Sequence, residues 1–399
     1  MSESPAVPPI SRRMTFLFAA ACGVIVANIY YAQPLAGPIC ASIGLAPEAA
    51  GLIVTMSQVG YGLGLLLLVP LGDIFENRKL VVTLVLGVML AALGAALATS
   101  PLAFLSAALL TGLCTVAVQV LVPYAAHFAP EAERGKVVGN VVSGLMVGIM
   151  LARPVASFIT RFSSWHVVFF FSAAVMLVVA VILGKTLPPR QPHTRLRYRD
   201  LLGSMVELAL HTPVLQRRAL YQAAMFGAFS LFWTATPLLL TGPEFHLTQA
   251  GVALFGLAGV AGAVAAPLAG RAADRGWSRW GSAVAMLSVS VAFLMTHLAH
   301  LGSTLSLILL TAAAIVLDFG VSANLLFGQR AIYELSASLR SRLNGLYIAT
   351  FFIGGAIGSA VGGWAYAHGG WTLASWIGFA LPVPALVYWL TEFGGQARE

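Results

Sequence analysis

Apolar residues run along this chain in long unbroken blocks separated by short polar breaks. A hydrocarbon core about 30 Å thick takes about 20 apolar residues of helix to cross. Six blocks of that length lie at 15–36, 50–71, 80–100, 102–127, 137–160 and 166–187, and six more at 219–240, 249–269, 281–301, 303–327, 343–366 and 372–390. They are rich in Leu, Ala, Val and Gly and do not alternate with period two. Each therefore closes its own backbone hydrogen bonds as a helix, which excludes a membrane β-barrel. The pattern predicts an all-α membrane protein with twelve transmembrane helices, numbered here as spans 1 to 12, in two pseudo-symmetric six-helix bundles. The expected divisions are a tail at 1–14, an N-terminal bundle at 15–187, a linker at 188–218, a C-terminal bundle at 219–390 and a tail at 391–399.

Composition agrees, with 59% hydrophobic and 9% charged residues, against roughly 25% charged in a soluble domain. The net charge of +8 would suggest nucleic acid in a soluble protein; here its placement reports orientation. Twenty of the 22 Lys and Arg residues fall in the two tails, the linker, the even-numbered connections or, for Lys185, the last turn of span 6 beside the linker, leaving Arg161 on the other side and Arg153 inside span 5. An excess of Lys and Arg marks the cytoplasmic side, so both termini and the linker are expected there. Arg12-Arg13 and the box Ala19-Ala20-Ala21-Cys22 resemble processing signals. The apolar run continues to Ala36, longer than a signal core, and is read as an uncleaved first helix.

Cys22, Cys40 and Cys114 show no paired spacing, and the eight histidines form no ligand pattern. Neither a disulfide framework nor a metal is expected. No Gly-Lys-Ser/Thr phosphate loop is present, so ATP is not the expected energy source, and no cofactor is expected. In the linker, Asp200 is placed to cap a short helix with Leu201, Met205 and Leu208 on one face. Such a helix would lie on the membrane surface; a flexible basic linker is the alternative.

The two halves repeat at an offset of about 200 residues, as transporters often do. Tyr31-Ala32-Gln33-Pro34-Leu35 matches Thr234-Ala235-Thr236-Pro237-Leu238. Asp73 and Arg78 match Asp274 and Arg279. Arg134, Lys136, Gly139, Gly148 and Trp165 match Arg340, Arg342, Gly345, Gly354 and Trp371.

On these residues the chain resembles the major facilitator superfamily, whose two six-helix halves rock about a central cavity. The superfamily's loop after spans 2 and 8 appears as PLGDIFENRKL, with Asp73, Arg78 and Lys79 but Ile74 after the Asp. Its second copy is GRAADRGWSRW, with Asp274, Arg275 and Arg279. ANIYYAQP (27–34), GLMVGIMLARPVAS (144–157) and LDFGVSANLLFGQRAIY (317–333) resemble the bacterial proton-driven efflux branch related to purine-nucleoside and sugar exporters. The resemblance implies a secondary transporter of the inner membrane, working as a monomer, with protons and a small organic molecule as its partners. It departs from the multidrug pattern in two places: Ala108, four residues before Gly112, stands where proton antiporters often carry Arg, and span 1 holds no acid.

The gate set of Asp73, Arg78, Lys79, Asp274, Arg275 and Arg279 has a physical reading. Asp73 can accept from the N–H groups that begin span 11 near Leu343 and Asn344, and Arg78 and Lys79 can pair with Glu131 or Glu133, holding the cytoplasmic side closed. Inside the spans only Arg153 and Asp318 are charged away from the ends, and intramembrane charges are functional suspects by default. Asp318 is the candidate proton carrier or, alternatively, a structural partner. Arg153 lies nearer the outer side and Asp318 nearer the cytoplasmic side, which does not suggest a simple pair. Arg153 is a candidate for an anionic or hydroxyl-rich solute.

The resemblance implies that spans 1, 4, 7 and 10 line the cavity. Their polar and aromatic stripes are Asn28 and Tyr31 at i,i+3 with Gln33 further round, Thr115 and Gln119, then Gln222, Phe226, Phe229 and Trp233, and Ser322 near Asp318. As a set they suit a small amphipathic or aromatic solute; singly, each is equally well read as interhelical glue or packing. Gly144, Gly148 and Pro154 in span 5 and Gly354, Gly358 and Gly362 in span 11 allow close backbone approach, and are expected at the surface on which the halves slide. Export of a small solute in exchange for protons is the leading expectation, with a facilitator or importer as the alternative. No paired carboxylates or His clusters support a membrane enzyme.

Overall fold

The computed structural model describes residues 11–130, 133–192, 197–260, 268–272, 275–336 and 339–392. Among these, nine helical stretches are long and apolar enough to cross a membrane, one of them the 51-residue Arg340–Leu390. That stretch is two spans. Gly369 and Gly370 leave helical geometry, Gly370 at φ 57°, a left-handed conformation that costs glycine nothing. The chain returns to the end it left: near its start Arg342 donates to Ser204 at 3.2 Å, and near its finish Thr391 accepts from Arg217 at 3.0 Å. The two further spans are broken helices. Span 1 is Arg12–Ala27, a 3-10 turn Gln33–Leu35 and Ala36–Ile43; span 8 begins as Gln249–Gly256 and passes into the 3-10 turn Leu257–Val260. The twelve-helix, two-bundle fold follows.

Helix starts obey local chemistry. Ser11 caps span 1, Ser100 caps span 4 ahead of Pro101, and Ser303 caps span 10, each hydroxyl accepting from an N–H that has no partner within the helix. Glu76 begins span 3 by accepting from the Arg78 and Lys79 amides at 2.8 and 3.2 Å.

Close helix pairing inside each half uses glycine, and the same contact occurs twice. Gly144 and Gly148 of span 5 meet the backbone of Ala19 and Gly23 in span 1, while Gly354 and Gly358 of span 11 meet Ala223 and Gly227 in span 7. Gly362 continues the second row against Leu231. These glycines therefore join spans within a half, not the sliding surface between halves. A flat, side-chain-free stripe lets two backbones touch, which suits a permanent seam as well as a moving one. Pro154 does reach across, packing against Gly256 of span 8.

The halves meet mainly away from the arginine-rich end. Gly51 lies against Ser359 and Gly363. Thr55 Oγ1 is 2.8 Å from Ser359 Oγ and 3.2 Å from the Ala356 carbonyl. Deeper in, Gln58 Nε2 donates to Ser230 Oγ at 2.9 Å, and the rings of Tyr61 and Phe352 stand 4.4 Å apart.

At the arginine-rich end Asp73 is exposed and faces Arg342 across a narrow crevice of about 20 Å³. The expected capping of span 11 by Asp73 is not formed; the Leu343 amide bonds to the Leu339 carbonyl at 2.9 Å. Arg78 reaches not Glu133 but the Leu187 carbonyl, at 3.3 Å, because the chain leaving span 6 passes directly over the start of span 3. Asp274 and Glu131 lie outside the described residues. Arg275 is exposed, and Arg279 pairs with Glu392 at 3.3 Å. Glu392 also accepts from Tyr221 at 2.9 Å and lies 3.7 Å from Arg218.

The linker contains a helix, Tyr198–His211, with Asp200 accepting from the Arg197 amide at 3.3 Å. Its apolar face does not lie on lipid: Leu201 and Met205 are buried in the protein. Tyr198 Oη donates to the Leu67 carbonyl at 2.7 Å and Ser204 accepts from Arg342. The helix is thereby tied to span 2 of one half and span 11 of the other.

Candidate functional site

The two intramembrane charges come together. Arg153 and Asp318 are 3% and 4% exposed and flank Gly259 in the 3-10 turn of span 8. A Cβ at Gly259 would stand 3.1 Å from Asp318 Oδ2 and 3.3 Å from Arg153 Nη1, so these two atoms are at most about 6.4 Å apart. The separation in depth expected from their sequence positions is bridged by side-chain length and by the break in span 8, which brings backbone without side chain between them.

Trp233 links the pair. Its indole N–H donates to Asp318 Oδ1 at 2.9 Å, while the Arg153 guanidinium lies 4.2 Å from the centre of its ring. Tyr30 and Phe229 complete an aromatic surround at 5.2 and 5.4 Å from the guanidinium. A delocalised cation on aromatic faces is stabilised more than in plain hydrocarbon. Arg153 Nε donates to Gln33 Oε1 at 2.7 Å. The other atoms of that pair, Arg153 Nη2 and Gln33 Nε2, are buried with no hydrogen-bond partner.

An aromatic wall extends from this centre. Phe226 and Phe229 stack at 5.2 Å with an interplanar angle of 12°, Phe226 meets Phe352 at 5.1 Å, and Phe352 meets Tyr61. Gln119 Nε2 donates to Tyr61 Oη at 2.9 Å, so Gln119 holds a wall residue. On the same wall, Gln58 Oε1 is buried without a partner.

Other stripe residues are committed to neighbours. The Asn28 amide donates to the Val24 and Ile25 carbonyls at 3.1 Å and accepts from Ser172 of span 6. Thr115 donates to the Thr111 carbonyl at 2.6 Å. Gln222 donates to the Val321 carbonyl at 3.2 Å and accepts from Asn324 at 2.8 Å, tying span 7 to span 10. Ser322 is half-buried.

The sequence pattern picked Tyr31 for the cavity, yet it is Tyr30 that lies against Arg153. Three successive i to i−3 bonds, from the amides of Asn28, Ile29 and Tyr30, tighten span 1 to about three residues per turn, where residues i and i+3 eclipse; Tyr31 therefore stays on the side of Asn28, which is turned to Ser172 of span 6, and Tyr30 takes the side that meets Arg153. Tyr30, Tyr61, Gln58, Gly259, Phe352 and Phe255, whose ring lies 5.7 Å from that of Trp233, are additions from the structure. The visible signal was Pro34 in YAQP, which marks the break without saying which ring it turns inward.

No group of three or more His, Cys, Asp or Glu side chains able to hold a metal occurs among the described residues. Instead the site has one buried charge from each half, an aromatic wall, and unsatisfied donors and an acceptor.

The chain matches the sequence profile of the Major Facilitator Superfamily over residues 14–296 and 219–394. It is 38% identical over 391 residues to YgaY, an uncharacterised transporter of Escherichia coli, covering 97% of each chain. It is 35% identical to a probable transporter of Streptomyces coelicolor, covering 89% of this chain and 82% of that one. Its fold is similar to crystal structures of the nucleoside transporter NupG, one with a TM-score of 0.79 at 12% identity over 95% of this chain and 99% of that one. It is also similar to a bacterial homologue of the lysosomal transporter Spinster in an inward-facing, occupied conformation, with a TM-score of 0.75 at 14% identity over 98% and 97% of the two chains. The chain belongs to the Major Facilitator Superfamily.

Proposed function

We propose that this chain, by its family a multi-pass membrane transporter of a small solute and not an enzyme, exports an amphipathic or aromatic molecule in exchange for protons. The observation that carries this reading is the meeting of Arg153 from one half with Asp318 from the other at a buried aromatic site. Ionised, Asp318 attracts Arg153 and accepts from Trp233, which favours halves drawn together at this level. Protonated, it loses the attraction, and the halves are released to rock about the site. A proton gained on one side and lost on the other thereby drives alternating access. The aromatic wall supports a solute with a stacking face, of nucleoside-like or sugar-like size. The distribution of Lys and Arg supports cytoplasmic termini, and a monomer holds the whole site.

The test is pH-gradient quenching in everted membrane vesicles, with nucleosides, sugars and aromatic drugs applied to wild type and Asp318→Asn. Dissipation of the gradient by a solute in wild type alone supports exchange through Asp318. Equal dissipation in both removes Asp318 from the proton path, and a solute that crosses without moving protons makes the protein a facilitator.

A further inference from the structure

We propose that the solute enters this site through an uncharged oxygen acceptor, a carbonyl or amide oxygen, held jointly by Arg153 Nη2 and Gln33 Nε2, and that carboxylates are rejected. The inference rests on Arg153 and Asp318 forming the transport site, as proposed above, and adds the chemistry that the site selects.

Arg153 and Gln33 are joined by the 2.7 Å bond from Nε to Oε1. The guanidinium carries a second donor beside Nε, and the amide carries its nitrogen beside Oε1. The bonded pair thus leaves one further donor on each residue, Nη2 on the guanidinium and Nε2 on the amide, each within its own side chain next to the bonded atom. Neither can satisfy the other, and both are buried without a partner in side chains 3% and 1% exposed. A buried donor left unmade costs about 1–3 kcal/mol, and one oxygen with two lone pairs satisfies both.

Charge decides which oxygen. Arg153 already faces Asp318 at no more than about 6.4 Å, so the pair is neutral when the carboxylate is ionised, the state in which an exchanger takes its solute. A carboxylate added there would give the centre a net negative charge in a water-poor site, where an uncompensated ion is costly. A carbonyl supplies the same lone pairs without that charge. Phe229, Trp233 and Tyr30, each within 5.4 Å of the guanidinium, offer faces for an attached ring. The unpaired Gln58 Oε1 on the same wall suits an N–H or O–H on the ring's far side.

Benzamide, benzoate and benzylammonium differ in little but charge at one end of a ring, and their binding to the full chain in lipid nanodiscs at pH 7.5 is the test. By isothermal titration, benzamide is expected to bind at least tenfold more tightly than benzoate. Gln33→Glu keeps an acceptor for Arg153 Nε and replaces the Nε2 donor by a charged oxygen; it is expected to lose benzamide at least tenfold and to gain benzylammonium. A variant that merely misfolds loses every probe, so Arg153→Lys, which keeps the charge and removes the guanidinium fork, is run beside it and is expected to weaken benzamide while folding. Benzoate binding as tightly as benzamide, benzamide unaffected by Gln33→Glu, or no benzamide binding up to its solubility limit would each overturn the assignment. No gradient is involved, so intact benzamide selectivity with failed proton exchange refutes the exchange reading alone, and the converse refutes this one.

Discussion

The Arg153–Asp318 pair should appear as a coupling energy between the two halves. Asp318→Asn keeps an oxygen for the Trp233 N–H but removes the charge that faces Arg153. Two unit charges at the upper bound of about 6.4 Å and an effective dielectric of about 20 attract by about 3 kcal/mol; the single variant loses this attraction and is also spared the cost of burying the carboxylate, so only the cycle isolates it. Arg153→Leu loses the same attraction, along with the Gln33 hydrogen bond and the stacking on Trp233. In the double variant the attraction is already gone when the second change is made. The two single losses should therefore exceed the loss in the double variant by about 3 kcal/mol. Reversible unfolding in mixed detergent micelles, followed by tryptophan fluorescence on all four members of the cycle, measures this without any solute. Additivity within about 0.5 kcal/mol, as expected of independent sites, would show that the charges do not interact and would remove the electrostatic basis of the coupling.

Two further outcomes follow from the packing. Gly148 touches the backbone of Gly23, so Gly148→Leu must force spans 1 and 5 apart and should cost about 3 kcal/mol or more, seen as a fall in thermal stability in detergent; Gly139→Ala, in the same helix with open space around it, should cost nothing and add about 0.4–1 kcal/mol. Thr55→Val removes the hydroxyl that joins span 2 to Ser359 and Ala356. At about 1 kcal/mol for such a bond, it should raise amide hydrogen exchange in segments 50–56 and 356–363 roughly fivefold, and unchanged exchange would show that these hydrogen bonds do not hold the halves together there.

The spans were legible because bilayer thickness fixes how many apolar residues a helix needs, a count that can be made locally. Arg153 and Asp318 stood out for the same reason, as charges in blocks that otherwise hold none. What could not be read was which side chains share a space. Asn28, Thr115 and Gln222 lie on cavity spans and have polar side chains, yet each finds partners on its own or an adjacent helix. A polar stripe reports the need for a hydrogen bond and not whether a neighbour already meets it. The glycine rows carried the same ambiguity, since the short side chain that permits sliding also permits a fixed seam.

The deepest misreading was which side of span 1 faces the site. Tyr31 follows Asn28 by three residues and shares its side, most closely where the turns tighten to three residues, but that side is turned to Ser172 of span 6. Tyr30 is the ring presented to Arg153, and the 3-10 turn that begins at Gln33 puts the Gln33 amide beside the same guanidinium. The 3-10 turn in span 8 brings Gly259 between Arg153 and Asp318. Both breaks lie where the charges meet, and a continuous helix at either place would set a different residue there. Restoring regular helix in span 1 should thus damage the site more than the stability: Pro34→Ala is expected to weaken benzamide binding while leaving the unfolding midpoint nearly unchanged. A large loss of stability with intact binding would mean that the break serves the packing of spans 1 and 7 and that the site tolerates either phase.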